Sequence, residues 1–138
     1  MIFRLRQAQV AEMCAHARAS SPAECCGLVG GRGREAQSIY PLRNVAAAPL
    51  VAYEGAPAEL FAAQRRMRER GEQLVAIYHS HPRAIDPVPS ETDVRLAFYP
   101  AAIYFIIGLG GGEAALRAFR IFESERRWER VEYRVVGE

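Results

Sequence analysis

Apolar positions change their spacing several times along the chain, and each change marks an element. Residues 2 to 5 read as a short strand. From Gln7 to Ala19 the residues Val10, Met13, Cys14 and Ala17 fall at i, i+3, i+4 and i+7. That is one apolar stripe of a helix. Ser20-Ser21-Pro22 ends it, because a residue before proline avoids the helical region. Cys25 to Val29 is a short apolar strand closed by Gly30-Gly31-Arg32-Gly33, and Glu35 to Leu42 alternates loosely as its hairpin partner. Residues 43 to 56 read as loop, with a strand expected at Leu50 to Tyr53. Pro57 suits the first turn of a helix that runs to Arg70, with Leu60, Ala63 and Met67 inward and Gly71 as its stop.

Two runs are continuously apolar, Leu74 to Tyr78 and Ile103 to Ile107. Strands of that kind are buried on both faces and belong in the middle of a sheet. A proline-rich loop follows the first run, then a helix from about Glu91 to Phe98. Gly110-Gly111-Gly112 is a turn, and Ala115 to Phe122 and Trp128 to Val136 read as two more strands. The sum is a mixed sheet with helices on its faces, an α/β or α+β domain.

Composition narrows this picture. With 138 residues, 50% hydrophobic and 25% charged, the chain is neither disordered nor a coiled coil, and residues 1–138 read as one domain. No apolar run reaches the roughly 18 residues of a membrane span, and the opening residues lack the apolar stretch of a signal peptide. The expected location is the cytoplasm. A net charge of +2 demands neither nucleic acid nor a membrane surface. All 18 basic residues are arginine; those of the second helix read as a solvated face. Cys14, Cys25 and Cys26 form no CxxC pair and read as reduced, partly buried thiols.

The chemistry concentrates in residues 79 to 93, where a central strand ends. Functional groups of α/β folds gather at such strand ends. His79 and His81 are two apart, so both point to one side if the strand continues to them. Two imidazoles on one side can share a zinc ion, and a catalytic zinc takes three protein ligands and keeps one position open. Asp93, in the first turn of the next helix, is the natural third. Pro82, Pro87 and Pro89 stiffen the loop between them. Ser90 and Asp93 also fit a capping box, which would make them helix starters; a carboxylate has acceptor sites enough for both tasks. Hydrolysis further needs a proton carrier. Glu24, just before the strand at Cys25, is the candidate, although a glutamate there also reads as an ordinary strand-edge residue. His16 falls on the polar side of the first helix and reads as a surface residue.

Taken together, Glu24, His79-Ser80-His81-Pro82 and Ser90-Glu91-Thr92-Asp93 resemble the JAMM (JAB/MPN+) metalloprotease signature over roughly residues 5 to 125. The resemblance implies an MPN domain, a cytidine-deaminase-like α/β/α sandwich. It implies Zn2+ held by His79, His81 and Asp93. Glu24 would be the general base and acid, and Ser90 the donor to the oxyanion. The family usually places seven residues between the second histidine and the serine, and this chain has eight, Pro82 to Pro89. The longer loop leaves Asp86 as a competing third ligand. Stand-alone prokaryotic members imply a substrate: the amide bond after the C-terminal Gly-Gly of a small ubiquitin-like or sulfur-carrier β-grasp protein. Two alternatives remain at this point, a non-catalytic MPN-like scaffold and a zinc hydrolase of small amides. The absence of lysine fits an arginine-rich genome; it also suits an isopeptidase that cannot itself be conjugated through a side-chain amine.

Overall fold

The two continuously apolar runs become neighbouring strands in the middle of one sheet. A computed structural model describes residues 2–137. In chain order the elements are β1 (Phe3–Arg6), α1 (Gln7–Ser20), β2 (Cys26–Arg32), β3 (Glu35–Leu42), α2 (Pro57–Arg70), β4 (Gln73–His81), α3 (Glu91–Arg95), β5 (Ile103–Gly108), β6 (Ala115–Phe122), β7 (Arg127–Val131) and β8 (Tyr133–Val136). A 3-10 turn at Glu123–Glu125 links β6 to β7. The strand order is β7-β6-β5-β4-β2-β3-β1-β8. β4 pairs parallel with β5 and antiparallel with β2, so its backbone is satisfied on both sides.

Side chains alternate across the sheet and build two cores. Ala76, Tyr78, Phe105 and Ile107 share one face with Met13, Cys14 and Ala17 of α1. Ile77, Tyr104 and Ile106 share the other with Ala63 and Met67 of α2 and Val94 of α3. This is an α/β/α sandwich around a mixed sheet. α1 also buries Gln9, whose amide accepts from Arg6 N–H (2.7 Å) and donates to the Ala36 and Gln37 carbonyls (3.2 Å each).

Four expectations change. β2 does not stop at Val29; it continues through Gly30 and Gly31 to Arg32. Glycine is required there, since a Cβ on Gly31 would overlap the Glu35 carbonyl of the paired strand. Residues 50 to 53 form no strand; they belong to a loop pinned by an isolated bridge between Asn44 and Gly55. α3 ends at Arg95 rather than Phe98; Leu96, Phe98 and Tyr99 are exposed, with Pro100 following. Finally, the expected strand from Trp128 to Val136 is two strands. At Glu132 the chain leaves the margin beside β6 and crosses to pair in parallel with β1 at the opposite margin. The sheet therefore curls until its two margins meet at one residue.

Candidate metal centre

Pairing with β2 and β5 carries β4 three residues beyond its apolar run, to His81. The pleat then sets His79 and His81 in step with Ile77, on the face that carries α3. α3 starts with a reciprocal capping box. Asp93 N–H donates to Ser90 Oγ (3.0 Å), and Ser90 N–H donates to Asp93 Oδ2 (2.9 Å). That exchange fixes the carboxylate. The same Oδ2 lies 3.0 Å from His79 Nε2 and 3.0 Å from His81 Nε2, and the two nitrogens are 3.2 Å apart. Ligands at the usual distances from a tetrahedral zinc lie about 3.3 Å from one another. The spacing of these three atoms therefore fits a single small divalent cation.

Glu24 reaches the same space. One of its carboxylate oxygens and a nitrogen of each histidine lie within 4.8 Å of one another, so Glu24 could complete a ligand trio in place of Asp93. Asp93 is the closer carboxylate, touching both imidazoles through one oxygen. Glu24 Oε1 is buried with no hydrogen-bond partner among the described residues, the state expected of a group kept for a reacting molecule. The Glu24 backbone is held firmly. Its N–H donates to the Pro49 carbonyl (2.8 Å) and its carbonyl accepts from Asn44 Nδ2 (2.9 Å).

Burial and charge pull these groups apart. Burial pushes the Glu24 carboxyl up to about 7; His81 opposes this and Asp93 adds to it. For Asp93 burial also acts upward, but His79, the hydrogen bonds from both histidines and the Ser90 N–H outweigh it. They hold the carboxyl well below the usual carboxylate range. His81 is raised: burial disfavours its cation, and the hydrogen bond and charge of Asp93 overcome that. The result is one carboxylate that stays ionised beside another that titrates near neutrality, the usual basis for separate ligand and proton-carrier roles.

Side-chain exposure is 0% for His79, 7% for Asp93 and 17% for His81, so His81 is the ligand most open to solvent. There an open cleft of about 420 Å³ is lined by Pro22, Leu50, Val51 and Pro82 to Ala84 together with Glu24, His81 and Ser90. Ser90 Oγ accepts one bond, from Asp93 N–H, and keeps its own proton to donate into the cleft.

Asp86 is not part of the cluster. Its carboxylate is exposed and accepts from Arg117 Nε (2.9 Å). The longer loop is taken up by a turn that throws Ile85 outward, while buried Pro87 packs on Gly108. His16 also departs from expectation. It is half-buried, with Nδ1 2.7 Å from the hydroxyl of buried Tyr78, and burial lowers its pKa. Three supporting contacts were not legible in the sequence. Ser80 Oγ accepts from Cys25 N–H (2.8 Å) and ties the strand ends together. Asn44 organises the loop over residues 43 to 56. The Tyr53 ring stacks on His79, with centroids 4.4 Å apart and an interplanar angle of 22°. Tyr53 is the one aromatic residue in that loop, and this was its only signal.

Helices on both faces of a mixed sheet, with paired histidines at the end of a central strand, place the molecule in the JAB/MPN fold class. A JAB1/MPN domain protein from Archaeoglobus fulgidus superposes with a TM-score of 0.65 at 19% identity over 99% of both chains. The chain belongs to the prokaryotic JAB family: the family model for prokaryotic homologues of the JAB domain matches residues 6–122. A Desulfitobacterium hafniense protein of known solution structure is 34% identical, with a TM-score of 0.86 over 99% of this chain and 94% of that one. Desampylase of Haloferax volcanii is 41% identical over 92 residues, 65% of this chain and 66% of that protein. A Thermus thermophilus protein named "Probable TtuB-protein conjugate cleaving protease" is 38% identical over 83% of this chain and 72% of its own length. CysO-cysteine peptidase of Mycobacterium tuberculosis is 34% identical over 88% of this chain and 84% of that protein.

Proposed function

We propose that this chain is a zinc-dependent peptidase or isopeptidase. It hydrolyses the amide bond after the C-terminal Gly-Gly of a small ubiquitin-like or sulfur-carrier protein. The observation that carries this reading is the convergence of His79 Nε2, His81 Nε2 and Asp93 Oδ2 at 3.0–3.2 Å beside the buried carboxylate of Glu24. His79, His81 and Asp93 hold the zinc. When bound, zinc would supply the Lewis acidity that activates water for attack.

Glu24 takes a proton from the attacking water and passes it to the leaving nitrogen. Its burial suits both acts, because its carboxyl gains and loses a proton near neutrality. The Ser90 hydroxyl donates to the oxyanion that develops on the scissile carbonyl. Leu50, Val51 and the Pro82–Ala84 segment leave a cleft that accepts an extended, glycine-ended tail. The relatives named as a desampylase, a conjugate-cleaving protease and a CysO-cysteine peptidase support a carrier-protein substrate. Residues 1–138 act as one catalytic domain. The free cysteines fit the reducing cytoplasm, and no helix among the described residues is long and apolar enough to cross a membrane.

The test joins metal content with cleavage. The purified protein should carry one zinc, cut a β-grasp carrier fused through Gly-Gly to a reporter, lose activity to a strong chelator and regain it with zinc. Zinc without carrier cleavage, but with turnover of small amides, would favour a small-amide hydrolase. Neither zinc nor cleavage would favour a scaffold.

A further inference from the structure

We infer that Tyr53 is a positioning residue for His79, clamping its imidazole in the plane needed to ligate the metal. This rests on His79 being a zinc ligand, as proposed above. A ligating imidazole usually donates its second ring nitrogen to a carboxylate or carbonyl, which sets both tautomer and ring plane. His79 departs from that pattern: its Nδ1 is buried and meets no hydrogen-bond partner among the described residues. Something else must hold the ring, because its terminal torsion is otherwise broad.

Tyr53 is placed to do so. Its ring lies nearly parallel to the imidazole, 4.4 Å away and 22° inclined, while the His81 ring meets the imidazole edge-on at 5.0 Å and 67°. Tyr53 is itself immobilised from both sides by one residue. Asn44 Nδ2 donates to the Ala52 carbonyl (3.0 Å), and Asn44 Oδ1 accepts from Glu54 N–H (3.0 Å). The same Nδ2 donates to the Glu24 carbonyl (2.9 Å). One asparagine thus fixes the backbone of both the clamp and the proton carrier. The Tyr53 ring also lines a small hollow with Ala52, Thr92, Asp93 and Leu96, beside the ligand set.

The ring does this work and the hydroxyl does not. The experiment is zinc competition against a chromophoric chelator, with metal-free melting followed in parallel. Tyr53→Phe should bind zinc within twofold of the parent. Tyr53→Leu, which fills the space without a flat face, and Tyr53→Ala should bind roughly tenfold more weakly. Because the ring also packs against the core on that face, their metal-free midpoints should fall, but both should still unfold cooperatively. The inference is overturned if Tyr53→Leu binds like the parent, or if Tyr53→Phe loses as much as Tyr53→Leu. It is equally overturned if both non-aromatic variants lose the metal-free fold, since the role is then packing. A parent protein that binds no zinc would instead sink the metal assignment itself, whatever the Tyr53 variants do.

Discussion

At the scale of single residues, the two carboxylates of the centre separate by what surrounds them. Glu24→Gln removes the proton carrier and no ligand. Turnover should fall by roughly 10²–10⁴-fold, with zinc content unchanged by elemental analysis. Asp93→Ala should weaken zinc binding by more than the roughly 10–100-fold that losing an outer hydrogen-bond partner costs. Asp86→Ala, which breaks only exposed pairs with Arg117 and Arg130, should keep stoichiometric zinc. The metal-free protein offers a separate check on Glu24. Its carboxyl rises from 4.5 to about 7 on folding because burial disfavours the anion. The folded state then holds the proton more tightly, so the stability it contributes is full below pH 4.5 and lost as pH climbs through 7. Metal-free Glu24→Gln should melt like the parent at pH 4.5 and above it at pH 8; equal midpoints at both would contradict the burial effect. The candidate ligands were legible in the sequence because strand period and cap spacing are local rules. Tyr53 and Asn44 were not, because a loop residue's partners depend on how the loop folds back. His16 looked solvated for the same reason: its partner, Tyr78, is 62 positions away.

Elements transmit these constraints through two contacts. Ser80 Oγ receives the buried Cys25 N–H, so Ser80→Ala should cost about 1–3 kcal/mol in denaturant unfolding. A Cβ on Gly27 would overlap the Tyr78 ring across the β2–β4 pair, so Gly27→Ala should destabilise by about 1–3 kcal/mol. It should also reduce activity, since Tyr78 adjoins His79. Helices α1 and α2 were readable from their stripes and stops. The ends of β2, β4 and α3 were not, because pairing decides them. β2 runs on through glycines that look like a turn, since β3 and β4 need a close neighbour there. β4 outlasts its apolar run, since β5 continues to bond to it. α3 stops early, with Leu96, Phe98 and Tyr99 left in solvent.

Across the whole molecule, the ligand strand sits deep within the sheet order, with three strands on one side and four on the other. Fraying at β7 or β8 must pass several paired strands before it reaches His79. Amide hydrogen exchange should therefore be slowest in β4 and β5 and fastest in β7 and β8. Comparable rates in β4 and β8 would show that the margins and the centre open together. A mixed sheet with helices on its faces was legible from two buried runs and the helices around them, the sandwich itself being implied by the family resemblance. The crossing at Glu132 was not: Trp128 to Val136 has one continuous strand-like composition, and only the curl of the sheet divides it.

That crossing bears on how the chain is made. Phe3 and Tyr133 are partners in adjacent strands, yet 130 positions separate them in sequence. β1 must therefore wait for its outer neighbour until β2 to β7 have been synthesised. The histidine-bearing strand and both of its neighbours are complete by Gly108, so the centre can assemble on a nascent polypeptide before that belated clasp is fastened.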